Sequence, residues 1–191
     1  MNQNYSHSIF LTGNAHKFQE VKIFIESSGL DAFISQKNVP LIEIQSDFIE
    51  DVAIHKVQSV EESIQGNYFV EDAGFFVDNL NFFPGAFSSY VQEMIGNGGV
   101  LKLMEGIKER DASFRSVIAL KLDDTIYTFH GRVDGTVSHE IRGKKGFGYD
   151  PIFIPDGLDK TFAEIPMEEK NSMSHRIKAL QNMCNFLLKQ E

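Results

Sequence analysis

The residues whose types and spacing are best suited to binding a ligand lie near the N-terminus, directly after a short apolar run. They are Thr12, Gly13, Asn14, Ala15, His16 and Lys17. A strand that ends in a small, tight turn leaves the first N–H groups of the next helix free, and these groups and the helix dipole favour an anion. Lys17 would lie in the first helical turn, where a cation opposes the dipole unless a phosphate is bound nearby. The run therefore predicts a phosphate-binding loop without Walker A spacing, and an ordinary turn with a solvated lysine is the alternative.

Three carboxylates form a second candidate group, Glu43, Glu71 and Asp72. The apolar pattern places Glu71 and Asp72 where a strand stops, beside Ala73, and open α/β sheets bind ligands at strand ends. Adjacent residues of an extended chain point to opposite sides, so one carboxylate can face a cleft while the other supports it. Together with Glu43 they suit Mg²⁺, which binds one or two carboxylates, several waters and substrate phosphates. The alternative is a solvated acidic edge.

A lysine stands beside the apolar stripe of the second predicted helix. The stripe consists of Ile49, Val52, Ala53, Val57 and Val60. Lys56 lies at its edge, and a lysine is costly to bury without a partner. The side chain therefore either extends to water along the surface or faces a cleft that contains an anion.

A glycine-rich loop covers residues 146–151. Glycines on both sides of Phe147 permit unusual backbone angles, so its ring can be held in the open as a stacking platform for a base. Asp150, fixed ahead of Pro151, can accept hydrogen bonds from ring N–H groups. A tight hairpin with a core phenylalanine is the alternative.

The last candidate group precedes and opens the C-terminal helix. Ser174 is a natural N-cap and places His175 and Arg176 in the first turn, where two hydrogen-bond donors would suit a base oxygen. Lys170, a few residues earlier, could reach a phosphate. A capped helix with a solvated first turn is the alternative.

The elements that position these residues follow from hydrophobic periodicity. Predicted strands cover residues 8–11, 41–45, 67–70, 113–121, 126–133, 135–139 and 152–154. Predicted helices include one that stops at Gly29, one capped by Asp47, one after the break at residues 96–99 and one that starts at Ser174. This order predicts an α/β fold with a mixed, twisted sheet and flanking helices. We expect a single domain, residues 1–191, with two lobes around a central nucleotide-binding cleft.

Composition limits the classes of function. The chain has 191 residues, of which 42% are hydrophobic, and a formal net charge of −9. It can bury a core, and its negative charge argues against nucleic acid as a partner. Its one cysteine, Cys184, lies in an apolar helical pattern and is expected in the core, with a nucleophile as the alternative. The polar start and the absence of a long apolar run predict a cytosolic protein without a signal peptide or membrane span.

Taken together, these residues resemble the inosine/xanthosine triphosphate pyrophosphatases, the Ham1-like family. The family pattern runs T-G-N-x-x-K, V-E-D-x-G, P-G, G-F-G-Y-D-P-x-F and E-E-K-N-x-x-S-H-R. This chain carries it at residues 12–17, 70–74, 84–85, 146–153 and 168–176, which spans nearly the whole sequence. The blocks G-F-G-Y-D-P and S-H-R are its most specific parts.

The resemblance implies a homodimeric, Mg²⁺-dependent enzyme that hydrolyses noncanonical purine nucleoside triphosphates to the monophosphate and pyrophosphate. It implies that Asp72 is the catalytic carboxylate and that Glu43 and Asp72 bind the metal. The implied substrate contacts are residues 12–17, Lys56, Ala73, Phe147, Gly148, Tyr149, Asp150, Lys170, His175 and Arg176. Ala73 stands where many members have serine or threonine, and Ser89 where some have a basic residue, so this chain lacks that hydroxyl and that cation.

Three further expectations concern partners and alternatives. The rings of Phe82, Phe83 and Phe87 either form an apolar patch covered by a second subunit or belong to the core. A Maf-type pyrophosphatase of other modified nucleotides is an alternative, against which the G-F-G-Y-D-P and S-H-R blocks argue. A non-catalytic nucleotide sensor is another alternative, and the presence of all three carboxylates argues against it.

Overall fold

Residues 7–28 and 33–189, the part of the chain described by the computed structural model, form one mixed sheet with helices packed against it. The strands are β1 (His7–Leu11), β2 (Phe33–Lys37), β3 (Tyr68–Val77), β4 (Pro84–Gly85), β5 (Asp111–Leu122), β6 (Thr125–Val137) and β7 (Phe153–Pro155). The helices are α1 (Ala15–Ser28), α2 (Ile49–Gln58), α3 (Ser88–Met94), α4 (Gly96–Leu103), α5 (Met167–Met173) and α6 (His175–Leu187). The strand order is β2-β1-β3-β5-β6-β7, and β4 pairs with β3. Because β1 is parallel to β2 and β3 while β5, β6 and β7 are antiparallel to their neighbours, the predicted mixed α/β sheet is confirmed.

The longest strands, β5 and β6, form a hairpin that passes through Asp123. Asp123 has a φ of 50°, a left-handed conformation that aspartate tolerates better than most residues. The prediction of two separate strands at residues 126–133 and 135–139 was wrong, because β6 is continuous to Val137. A Cβ at Gly135 would lie 2.1 Å from the Ile154 carbonyl oxygen, so this glycine permits close approach of β7 and does not end a strand.

The two faces of the sheet carry separate apolar clusters, because side chains alternate along β5. Val117 and Ala119 pack against the predicted stripe of α2. Ile118 and Leu120 pack on the opposite face against α1 and α6. Cys184 is buried in this second cluster, as predicted, and burial raises the pKa of its thiol to about 11.

A third, aromatic cluster fills the far half of the sheet. Its rings are Phe75, Phe114, Tyr149, Phe153 and Phe162, and residues of α3 and α4 pack against them. Along β3 and β5, the first two clusters therefore occupy one half of the sheet and the aromatic cluster occupies the other. A cavity of about 430 Å³ lies between the two halves.

The start of α2 differs from the prediction. Phe48, and not Asp47, is the N-cap residue, and no side chain caps it directly. Instead, Ser46 Oγ accepts a hydrogen bond from the Phe48 N–H at 3.1 Å and donates one to Asp51 at 3.0 Å. A hydroxyl just before the helix thus orders its entry, and the acidic Asp51 suits the positive end of the dipole.

Other boundaries also differ from the sequence expectation. The segment 41–45, predicted as extended, belongs to no paired strand, and the strand of this region is β2. The glycines of residues 96–99 lie inside α4 and do not precede it, and the seven-residue helices α3 and α5 were not predicted. The predicted stop of α1 at Gly29 lies outside the described residues. Within the described ranges, no helix has the length and apolar character needed to cross a bilayer.

Candidate active site

The site is centred on a stretch of β3 that lies beyond the end of β1. β1 pairs with β3 only at the first two residues of β3, and β4 pairs with it further along. Between these pairings, residues 70–74 are bonded to β5 on one side and, within the described chain, to no strand on the other. The prediction that Glu71 and Asp72 end their own strand was wrong, because β3 continues to Val77. The strand end that opens this crevice belongs to β1.

The loop between β1 and α1 enters this crevice with its own cap. Asn14 Oδ1 accepts hydrogen bonds from the N–H groups of His16 and Lys17, at 3.0 and 3.1 Å. Asn14 thus uses two of the N–H groups that the sequence analysis expected to be free for an anion. Lys17 is aimed at β3, where its Nζ donates to the Glu71 carbonyl oxygen at 3.1 Å and lies 2.8 Å from Glu71 Oε2.

Lys56 reaches the crevice from α2 and joins two carboxylates. Its Nζ lies 2.8 Å from Glu43 Oε2 and 3.1 Å from Asp72 Oδ2. The side chain is buried and does not extend to water, so the cleft-facing alternative is correct. Burial lowers the pKa of Lys56, but Asp72 and Glu43 outweigh this effect and raise it above its ordinary value.

Glu71 and Asp72 point to opposite sides of β3 and meet different surroundings. Glu71 accepts a hydrogen bond from Ser116 Oγ at 2.6 Å. Burial alone would raise the pKa of Glu71, yet Arg176 and Lys17 together hold it below its ordinary value. For Asp72, burial is the dominant effect and raises the pKa despite the nearby lysines. Glu71 is therefore a fixed buried charge, whereas Asp72 faces the cavity and holds a proton more readily than an ordinary aspartate.

The donor set of this region fits a hard cation that arrives with an anionic ligand. Glu43 and Asp72 converge, because both carboxylates contact the same ammonium group of Lys56. Among the described residues, no group of three or more acidic, histidine or cysteine side chains is arranged to hold a metal. Two carboxylates together with substrate phosphates and waters are an ordinary Mg²⁺ environment, whereas a closed protein cage would need more ligands.

Behind Glu71 lies a buried carboxylate that the sequence analysis missed, Glu20 of α1. Its Oε2 accepts a short hydrogen bond from Arg176 Nη1, and Arg176 Nε lies 3.2 Å from Glu71 Oε1. Burial alone would raise the pKa of Glu20, but Arg176 and Lys170 lower it to about 2. The sequence did contain a signal for Glu20, because it is three residues from Lys17 and therefore lies on the same face of α1 as this site lysine.

The same network continues to the glycine-rich loop. Lys170 Nζ lies 2.7 Å from Glu20 Oε1 and 2.6 Å from Asp150 Oδ2, and all three side chains are buried. The Asp150 Oδ2 atom also accepts a hydrogen bond from the Phe147 N–H at 2.9 Å. That Lys170 reaches a phosphate stays a prediction; in this structure its ammonium contacts Glu20 and Asp150 beside the aromatic loop.

Phe147 is the aromatic centre of that loop. Its flanking glycines, Gly146 and Gly148, have φ values of 70° and 61°, which confirms the unusual backbone angles expected there. The ring stacks on the imidazole of His16, with centroids 5.2 Å apart and planes at 16°. Lys170 Nζ lies 4.9 Å from the ring centroid. The glycine-rich loop therefore contacts the first turn of α1.

His175 and Arg176 lie in the first turn of α6, as predicted. The predicted cap is confirmed, because Ser174 Oγ accepts a hydrogen bond from the Ile177 N–H at 3.2 Å. The His175 ring is buried and stacks on Phe114 at 4.8 Å. Burial, and then the charge of Arg176, lowers its pKa well below the ordinary value, so the imidazole is neutral. Its Nδ1 has no hydrogen-bond partner among the described residues.

The cavity between the two halves collects nearly all the predicted site residues. Those that line it are Thr12, Gly13, Asn14, Lys17, Glu43, Lys56, Asp72, Ala73, Phe147, Gly148, Tyr149, Asp150, Lys170, His175 and Arg176. Ala15 and His16 are not part of its lining. Ser88 and Gln92 of α3 do line the cavity, and the sequence analysis missed them together with their short helix. Ser88 matters to the loop because its carbonyl oxygen accepts the Tyr149 hydroxyl at 2.8 Å.

The fold is that of the Ham1-type α/β proteins. The solved structure of the Ham1 protein of Staphylococcus aureus has a TM-score of 0.82 and 27% sequence identity, and the match covers 97% of this chain and 100% of that one. A HAM1 protein from Coxiella burnetii has a TM-score of 0.81 and 29% identity, over 96% of this chain and 98% of its own.

Sequence comparison gives the family itself. The chain belongs to the Ham1 family, which matches residues 8–186. A dITP/XTP pyrophosphatase of Thermococcus kodakarensis is 45% identical, over 93% of this chain and 95% of its own. A second one, of Pyrococcus horikoshii, is 44% identical over the same shares of the two chains. Membership of this family removes the Maf-type alternative.

Proposed function

We propose that this chain hydrolyses noncanonical purine nucleoside triphosphates, namely inosine triphosphate (ITP), its deoxy form (dITP) and xanthosine triphosphate (XTP). The products are the monophosphate and pyrophosphate. The observation that carries the proposal is a single cavity of about 430 Å³ with lysines and carboxylates at one end and a stacking loop at the other. The names of the relatives, dITP/XTP pyrophosphatases at 40–45% identity, support the same reaction.

At the charged end, Lys17 and Lys56 contact carboxylates when no substrate is bound. When the triphosphate binds, their ammonium groups turn to its phosphate oxygens. A water attacks the α-phosphorus, a new P–O bond forms, and the bond between the α-phosphorus and the bridging oxygen breaks. Pyrophosphate leaves with the electron pair of that bond. Asp72 orients this water and accepts its proton, because it lines the cavity beside Lys56 and burial raises its pKa, so it holds a proton more readily than an ordinary aspartate.

Glu43 and Asp72 would hold Mg²⁺ at this end of the cavity. When bound, the ion supplies charge neutralisation for the triphosphate, which is the main requirement of phosphoryl transfer. Glu71 plays a different part, because its ion pair with Arg176 and the hydrogen bond it accepts from Ser116 fix the segment of β3 next to Asp72.

At the aromatic end, Phe147 stacks on the purine. His175 and Arg176 face the same cavity and favour a 6-keto oxygen over the 6-amino group of adenine. Since Lys170 is held beside Phe147 by Glu20 and Asp150, we assign it to this end and not to the phosphates. Tyr149 and Asp150 complete the pocket.

A second subunit and a cytosolic location are part of the proposal. Phe82, Phe83 and Phe87 are exposed by 51%, 38% and 39%, so they form a surface patch and not a core. They line a groove of about 870 Å³ on the surface. Exposed apolar patches of this kind mark subunit contacts, which supports the homodimer.

The test is a panel of ITP, dITP, XTP, GTP and ATP, incubated with the enzyme with and without Mg²⁺. We expect pyrophosphate and the monophosphate from the first three nucleotides, and no turnover when the metal is chelated. Orthophosphate and a diphosphate as products would mean attack at the γ-phosphorus and would contradict the proposed reaction.

A further inference from the structure

A side chain outside the cavity ties the Phe147 loop to α4. Asn97 Nδ2 donates a hydrogen bond to the Gly148 carbonyl oxygen at 3.1 Å, although the two residues are 51 positions apart. Asn97 lies in the first turn of α4 and is not part of the cavity lining. We propose that Asn97 is a positioning residue that fixes the peptide between Gly148 and Tyr149, one residue beyond Phe147, and so sets the orientation of the Phe147 ring toward a purine base. This inference rests on the proposed function, in which Phe147 stacks on the base.

The peptide that carries the Gly148 carbonyl needs such a tie because Gly148 has no side chain to pack and the space beside its Cα is empty. Gly148 has a φ of 61°, and a Cβ built on it would meet nothing within 4 Å. Glycine has the greatest backbone freedom of any residue, so ordering it is unfavourable unless a specific contact compensates. A hydrogen bond to its carbonyl oxygen restricts the freedom that the absent side chain leaves.

The neighbouring contacts of the loop act at other points. Asp150 holds the Phe147 N–H, and the Tyr149 hydroxyl is held by the Ser88 carbonyl oxygen. Within the described chain, Asn97 is the residue that donates to the carbonyl oxygen of Gly148. The loop is therefore held on three sides, by α5 through Lys170 and Asp150, by α3 and by α4.

The other polar atom of Asn97 shows which part of the side chain matters. Asn97 Oδ1 is buried and has no hydrogen-bond partner among the described residues. An unsatisfied buried oxygen is unfavourable, and an apolar side chain of similar size would avoid it. The favourable polar contact of this side chain is thus made by its N–H group, which only an amide supplies in this shape.

The experiment compares Asn97→Asp, which keeps the shape but cannot donate when ionised, with Asn97→Leu, which is apolar. Dissociation constants of inosine monophosphate are measured by calorimetry at neutral pH, and inhibition constants of inorganic tripolyphosphate are measured beside them. We expect both variants to bind the monophosphate ~3–10-fold more weakly, the effect of one lost hydrogen bond. Tripolyphosphate should bind as it does to the wild type, because it has no base.

A matched control is available in Asn79. Its Nδ2 also donates to a backbone carbonyl oxygen, that of Glu109 at 2.7 Å, and it lies outside the cavity. Asn79→Asp makes the same chemical change elsewhere and should leave both constants unchanged. An equal loss of monophosphate and tripolyphosphate binding in the Asn97 variants would indicate a general structural defect and would overturn the inference.

Phe147→Ala, measured in the same way, separates this inference from the proposed function. If Phe147→Ala weakens monophosphate binding and Asn97→Asp does not, the base site stands and the role of Asn97 is wrong. If Phe147→Ala has no effect, the loop does not bind the base, and both claims fail.

Discussion

Two carboxylate side chains with different roles, Glu71 and Asp72, stand next to each other in this site. They are neighbours in sequence, yet Glu71 is held charged by Arg176 and Lys17, whereas burial raises the pKa of Asp72. The difference follows from the alternation of side chains along a strand, which sends one carboxylate toward α6 and the other toward α2. A fixed charge and a reactive one can therefore occupy adjacent positions.

Asp72→Asn should remove most of the activity and leave the fold intact. The amide keeps the size of the side chain but cannot accept a proton or balance Lys56 as a charge. One lost transition-state contact of this kind costs ~10²–10³-fold in turnover. The measurement is kcat for ITP at saturating Mg²⁺, with Asp134→Asn as a control because Asp134 is exposed on β6. Turnover close to wild type in the Asp72 variant would exclude this residue from the chemistry.

Arg176→Ala should alter base preference and lower stability. A guanidinium remains a donor at any working pH and rewards a 6-keto oxygen, so kcat/KM should fall far more for ITP than for ATP. The structure adds a second effect, because Glu20 and Glu71 would lose their shared partner, which typically costs about 3–5 kcal/mol. Kinetics with both nucleotides and a denaturant titration separate the two effects. An equal fall for both nucleotides would make Arg176 a structural residue only.

At the residue scale, the sequence predicted which residues belong to the site better than it predicted which groups those residues contact. Nearly all the residues singled out by type, spacing and the family resemblance do line the cavity. Sequence could not show that Arg176 is buried between two carboxylates, because Arg176 and Glu20 are 156 positions apart. Asn14 shows the same limit, since its side chain takes the N–H groups that were expected to be open for an anion.

Among elements, α1, α5 and α6 are joined by one buried group, the Glu20 carboxylate. The contacts with Lys170 and Arg176 outweigh the effect of burial and lower the pKa of Glu20 from 4.5 to about 2. A lowered pKa stabilises the fold above the unfolded value and loses this contribution as the pH falls through the folded value. Glu20 therefore stabilises the junction at neutral pH and progressively less between about pH 4.5 and 2.

Glu20→Gln should be less stable than wild type at neutral pH, by about 3–5 kcal/mol, because two buried cations lose a charged partner. The difference should shrink as the pH falls toward 2, where the wild-type carboxyl is itself protonated. Free energies of unfolding measured across this range give the comparison. Glu26→Gln, an exposed change on the same helix, should follow the wild-type curve. A gap that stays constant with pH would contradict the assignment.

The prediction of elements succeeded where periodicity is long and failed where it is short. The apolar stripe and the Ser174 cap mark α6 in the sequence, whereas α3 and α5 are seven residues each and carry too few apolar positions. The end of β3 was misplaced because Glu71 and Asp72 are polar inside a buried strand. Their burial depends on Lys17, Lys56 and Arg176, which come from other elements.

For the whole molecule, we expect a dimer in solution. Phe87→Asp should disrupt it, because a carboxylate in the phenylalanine patch is unfavourable to bury without a partner. Light scattering at micromolar concentration gives the mass of the wild type and the variant. Leu188→Asp, which places the same charge at an exposed position of the C-terminal region, should remain dimeric. A monomeric wild type would end this expectation.

The early end of β1 has a consequence for amide hydrogen exchange. It leaves a gap inside a protected sheet, where side chains hold the backbone: the Ala73 N–H bonds to the adjacent Asp72 carboxylate at 3.0 Å and the Phe75 N–H to Ser88 Oγ at 2.7 Å. Amides held by side chains open more easily than those of a strand ladder. Ala73 should thus exchange deuterium faster than its β5 neighbours, and more slowly once a nucleotide fills the gap. The exchange rate of this one amide would then report whether a nucleotide occupies the site, without a dye attached to the protein or the nucleotide.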